Sequence, residues 1–161
     1  NIAAYLELIG KRFTGTGSHG LMLAQDKSVA KKIFAFHGIA TPVFAGGFLY
    51  GTDSYGELRC LDASSGERLW ENLTAVPKAR WSTIHFVKNG DRYFLFNERG
   101  ELLIGKLSPQ GFEEISRAKL LEPTTDQLPQ RGGVCWSHPG FANKHVFARN
   151  DKELVCASLA R

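Results

Sequence analysis

The stretch Gly56–Glu71, GELRCLDASSGERLWE, decides how the rest of this 161-residue chain is read. Its first part alternates apolar and polar residues through Leu58, Cys60 and Leu61, which is strand texture and not the 3.6-residue spacing of a helix. A cluster of turn formers follows, from Asp62 to Gly66, and Leu69-Trp70 then resumes an extended segment. Asp62 and Gly66 are expected to close the hairpin between the two strands, since a carboxylate can cap turn amides and glycine accepts positive φ. Trp70 is expected to lay its ring between adjacent sheets, where a large aromatic surface is best used.

The same texture returns twice downstream. YFLFNERGELLIGKLSPQGFEE begins at Tyr93 and HVFARNDKELVCASLA begins at His145, and aligning Glu57-Leu58, Glu101-Leu102 and Glu153-Leu154 superimposes all three units. Each has an aromatic-led strand, a polar turn, Glu-Leu, and then an alternating strand that carries Cys60, Ile104 or Cys156. The anchors are 44 and 52 residues apart. A period of about 40–50 residues with several strands per repeat is the signature of propeller blades. Two to three blades are expected, fewer than the four to eight of a closed ring, so sheet faces and edges are expected to stay open to pairing. The alignment puts Cys60 and Cys156 at one inward position of a repeated strand. Together with Cys135 they form no CxxC pair and have no histidine at metal spacing, so buried core thiols are expected.

The segment from Gly46 onward resembles the pyrroloquinoline-quinone-type (PQQ-like) repeat β-propellers. The motif of that family runs roughly G-x-apolar-x-A-L-D-x-x-T-G-x-x-L-W, and Gly56, Leu58, Leu61-Asp62, Ser65-Gly66 and Leu69-Trp70 take the matching places. Cys60 stands for the usual Ala and Ser65 for the usual Thr. The resemblance implies a fold and not a cofactor. Quinone enzymes of this type need calcium ligands and often a vicinal disulfide, and the chain has neither an adjacent cysteine pair nor a suitable acid cluster. Trp81 and Trp136 are read as blade tryptophans. His85, His138 and His145 lack metal spacing, and Ser137 and His138, as neighbours in an extended segment, point apart.

Residues 1–45 have a different texture. Asn1–Ile9 is a short apolar helix candidate, KRFTG leads into a glycine turn, and Asp26 makes an N-cap for a helix with Val29, Ile33 and Phe36 on one face. Gly38 and Pro42 stop that helix. GTGSHG, Gly15–Gly20, matches GxGxxG by letter only, because no acid lies about 20 residues further on as a dinucleotide site requires. The ordered pieces Glu7–Gly10, Phe13–Gly17, Asp26-Lys27 and Gly38–Pro42 resemble the ATP-grasp ligases, most closely the D-alanine–D-alanine ligase family. By that resemblance Lys27 would contact nucleotide phosphate, and ATP with Mg²⁺ would be the cofactors. The family's later elements, a second lysine strand, a glycine-rich flap and a Glu-x-Asn metal pair, do not follow Pro42. Glu113-Glu114 and Glu122 are read as solvated surface.

Charge and composition narrow the function further. The net charge is +4, of which +3 falls in the first 45 residues, where five Lys and Arg stand against Glu7 and Asp26. That suits a small anion and is too sparse for a nucleic-acid face. No apolar run reaches the roughly 18 residues of a membrane span. No signal peptide is visible, which points to the cytoplasm, whereas the blade half resembles exported envelope proteins.

The expectation is therefore an α+β chain: an ATP-grasp-like α/β fragment at 1–45 and a partial, two- to three-blade propeller of antiparallel sheets at 46–161, joined as in a fusion or chimera. Its expected role is a non-catalytic scaffold or binding module without a cofactor, whose partner is another protein or a second copy meeting the open blade edges. The alternatives are a ligase remnant that binds nucleotide without turnover, and a piece of a quinone-dependent dehydrogenase.

Overall fold

The computed structural model describes residues 9–10, 42–53, 55–76, 78–80, 82–126, 129–130 and 132–160. The chain divides into two units, Asn1–Gly38 and Ile39–Arg161. Apart from Ile9 and Gly10 the first unit lies outside the described residues, and so do Lys27 and the helix expected to begin at Asp26.

The described residues form eleven strands in three antiparallel sheets. The first sheet contains β1 (Val43–Ala45), β2 (Phe48–Thr52), β3 (Leu58–Asp62) and β4 (Arg68–Asn72), paired in chain order. The second contains β5 (Ile84–Asn89), β6 (Arg92–Asn97), β7 (Glu101–Ser108) and β8 (Gly111–Lys119), again in chain order. The third contains β9 (Gly140–Ala142), β10 (His145–Arg149) and β11 (Leu154–Ser158). The α+β class is thereby corrected to all-β: there is no helix among the described residues, and within each sheet consecutive strands are joined by short turns. The division expected at 45/46 falls in the Gly46-Gly47 turn, between two paired strands.

Two sets of turns build these sheets. The turns between the first and second strands are two-residue loops: Gly46-Gly47, Gly90-Asp91 and Asn143-Lys144. Both residues of the first and last have positive φ, at 59° and 86° for the glycines and 48° and 59° for Asn143 and Lys144. That is the mirror-image turn matching strand twist, in which glycine and asparagine are the usual occupants.

The turns between the second and third strands are closed by a side chain. Asp53 accepts the amides of Tyr55 and Glu57, both at 2.9 Å. Asn97 accepts those of Arg99 and Glu101 at 3.0 and 3.2 Å, and Asn150 those of Lys152 and Glu153 at 2.8 Å. The two asparagines also donate backward to the chain arriving from the preceding sheet. Asn97 Nδ2 reaches the Ala75 carbonyl at 3.2 Å and Asn150 Nδ2 reaches the Glu122 carbonyl at 2.9 Å. Each hairpin is thus fastened to the connection that precedes it.

Packing runs from each sheet to the next. Leu58, Val43, Ala45 and Trp70 of the first sheet pack on Ile84, Tyr93, Leu95 and Leu103 of the second. Phe96 and Leu102, on the second sheet's other side, pack on Val146, Ala148, Val155 and Ala157 of the third. The sheets therefore stack face to face in succession, as consecutive blades do.

Candidate functional site

The anchors expected from the Gly56–Glu71 stretch all lie in the first sheet and its contact with the second. Asp62 Oδ1 accepts from the Ser64 amide at 2.8 Å, the Ser64 hydroxyl at 2.5 Å and the Ser65 amide at 2.9 Å. These bonds, led by the Ser64 hydroxyl, pull the carboxyl down from its ordinary 3.8 to about 2. Gly66 takes φ 75°, and its amide donates to the Asp62 carbonyl at 2.8 Å. Trp70 Nε1 donates across the sheet boundary to the Ser108 carbonyl at 2.8 Å, with its ring centroid 6.0 Å from that of Tyr50. Asp62 and Gly66 thus hold the β3–β4 turn, and Trp70 bridges the first sheet to the second.

Register identifies the equivalent positions in all three repeats. Tyr50 pairs with Cys60, Phe94 with Ile104 and Phe147 with Cys156. On the first sheet this face is closed: Tyr50 is 2% exposed, and Leu58 and Cys60 are fully buried. Leu102 of the second sheet is 4% exposed. On the third sheet the same positions are open, with Phe147 at 38%, Leu154 at 69% and Cys156 exposed. The expectation that Cys156 is a core thiol like Cys60 is corrected here. Its repeat position is the inward one, but no further sheet lies over it among the described residues. Nor does any described strand pair with the outer edge of β11.

Burial pushes the thiols of Cys60 and Cys135 up to about 11, so both stay protonated near neutral pH. No cluster of three metal-binding side chains occurs among the described residues. His138 Nδ1 donates to the Pro139 carbonyl at 2.8 Å, which fixes the tautomer of its ring. One pairing escaped the sequence: the rings of His85 and His138 lie 4.7 Å apart, and His85 Nε2 meets the Trp136 carbonyl at 3.2 Å. Burial first, and His138 second, lower the pKa of His85. Trp136 itself is at the surface, 36% exposed, and Trp81 lies outside the described residues.

Comparison with known proteins adds little. No protein-family model matches the chain. No curated protein matches it either. Among solved structures it is similar to BamB from Moraxella catarrhalis, at 20% identity and a TM-score of 0.46, over 72% of this chain and 30% of that one. The chain thus spans less than a third of that protein's length. The sheet order, the repeated register and the face-to-face stacking are those of propeller blades.

Proposed function

We propose that this chain is a non-catalytic binding module of β-propeller repeats whose partner is a protein covering the open side of the third sheet, in the first instance a second copy. One observation carries the reading: Leu154 is 69% exposed at the repeat position where Leu58 is fully buried and Leu102 is 4% exposed. A position that two repeats bury against the following sheet is built to be covered in the third as well. Fully burying a side chain of this size contributes ~1.5–3 kcal/mol, so covering the 69% of Leu154 that is exposed adds about 1–2 kcal/mol, a factor of roughly five to thirty in affinity. The open outer edge of β11 adds unpaired backbone groups able to accept another strand.

Sedimentation velocity over a wide concentration range tests the proposal. Reversible association that disappears in a Phe147→Ser/Leu154→Asp double variant, with the far-UV spectrum unchanged, is the expected result. A wild-type chain that stays monomeric and binds no apolar dye would sink it.

A further inference from the structure

We infer that the groove between the second and third sheets, at the end bearing their two-residue turns, is a binding site for a carboxylate attached to an apolar or aromatic group. The groove has a volume of about 360 Å³, within the range of small-ligand sites, and Val87, Phe94, Phe141, Lys88, Lys144 and His145 are among its lining residues. Phe94 and Phe141 form its apolar part. Their rings are stacked with centroids 4.9 Å apart and planes 7° from parallel, and both remain partly exposed instead of being sealed in the core.

The charge around that floor has one sign. Lys88 and Lys144 line the groove together with His145, whereas no Asp or Glu does. Neither lysine takes part in an ion pair among the described residues. Arg59, Arg68, Lys78, Arg117 and Lys119 each meet a carboxylate, and Arg92 lies 3.9 Å from Asp91 of the neighbouring β5–β6 turn, a carboxylate that does not line the groove. These cations, both on exposed residues, attract an anion, and the half-buried rings beside them favour one whose remaining bulk is apolar.

Lys144 gives a second, independent indication. It occupies the later position of the β9–β10 turn with φ 59°, in the left-handed region that disfavours a residue with a side chain. The corresponding position of the first repeat is Gly47, at φ 86°. Glycine would hold the Asn143-Lys144 turn with less strain. The chain instead keeps a lysine there, and an ammonium is what that lysine adds to the groove. The second repeat has Asp91 there without a positive φ, so the strained non-glycine conformation is particular to the third repeat and points to a role for the Lys144 side chain.

The test titrates the whole chain, followed by NMR, with N-acetylphenylalanine, its neutral amide, phenylacetate and acetate. The expected result is saturable binding of the first, at least tenfold weaker binding of the amide, and none of acetate. Preference for N-acetylphenylalanine over phenylacetate assigns the carboxylate to a peptide C-terminus, and equal binding assigns it to small aryl acids. Lys144→Gly is expected to weaken binding at least fivefold while raising the melting temperature by a few degrees as the turn relaxes. Lys144→Asn, which tolerates positive φ, is expected to lose the same affinity without a gain of that size. Equal binding of acid and amide, or unchanged binding by both variants, overturns the inference. It stands apart from the association proposed above, because Lys144→Gly leaves Phe147 and Leu154 untouched.

Discussion

Leu58 of the first sheet and Leu154 of the third occupy one position of one repeat, follow the same glutamate and sit on the same side of their sheets. One is fully buried and the other is 69% exposed. The difference lies in the neighbour and not in the residue: the second sheet covers Leu58, and no described sheet covers Leu154. Within this chain, burial is a property of stacking order.

The largest test of that comparison is a matched pair of truncations. Leu58→Ala removes a packed side chain between two sheets and is expected to cost about 3 kcal/mol. Leu154→Ala is expected to stay within about 0.5 kcal/mol in the monomer. Urea denaturation of both measures the contrast, and similar losses would mean that the third sheet is covered.

The asparagine clasps come next. Asn97→Ala removes the cap from two turn amides and leaves the Ala75 carbonyl without its donor, in a residue that is itself fully buried. A loss of about 2 kcal/mol is expected, again read from denaturant midpoints. Asn97→Asp is expected to recover only part of it, since a carboxylate keeps the turn but cannot donate to Ala75 and stands near Glu101, whose carboxylate accepts from Asn97 Nδ2 at 2.8 Å.

The cysteines sharpen the same contrast kinetically. At pH 8 a maleimide is expected to label Cys156 rapidly and to leave Cys60 and Cys135 intact, because burial both hides those thiols and raises them to about 11. Mass spectrometry counts the labels, with all three thiols reacting in denaturant. If copies cover the third sheet, labelling of Cys156 slows as protein concentration rises.

The smallest effect expected is an acid limb. The carboxyl of Asp62 is held at about 2 in the folded chain against 3.8 ordinarily, by its bonds from Ser64 and Ser65. A depressed carboxyl stabilises the fold above its unfolded pKa and loses that contribution as pH falls through the folded one. The contribution of Asp62 is therefore expected to fade between about pH 4 and pH 2, and Asp62→Asn to flatten stability in that window. An unchanged pH profile would show that the turn does not depend on the charge.

Much of this architecture was legible in the residues. Glu57-Leu58, Glu101-Leu102 and Glu153-Leu154 open the third strand of each sheet or lie at its start, and the Asp62–Gly66 cluster is a turn. Other features carried a signal that went unread. Asp53, Asn97 and Asn150 precede those glutamates by four, four and three residues, a repeated turn former whose clasping role needs the neighbouring connection to be visible. The meeting of His85 with His138 had no signal, since it joins a strand of the second sheet to the connection leading into the third. The α+β class failed because the helical pattern lies before Pro42 and every described element after it is a strand.

The sequence by itself settled which segments extend, where they turn and which side of each strand is apolar, because these follow from side-chain alternation and from the φ preferences of glycine, asparagine and aspartate. Only the tertiary structure decided which of the equivalent apolar positions are buried. Alternation fixes the direction in which Leu58, Cys60, Leu154 and Cys156 point, but removing them from water requires a second surface. That surface comes from sheets far along the chain, and local pattern carries no record of it.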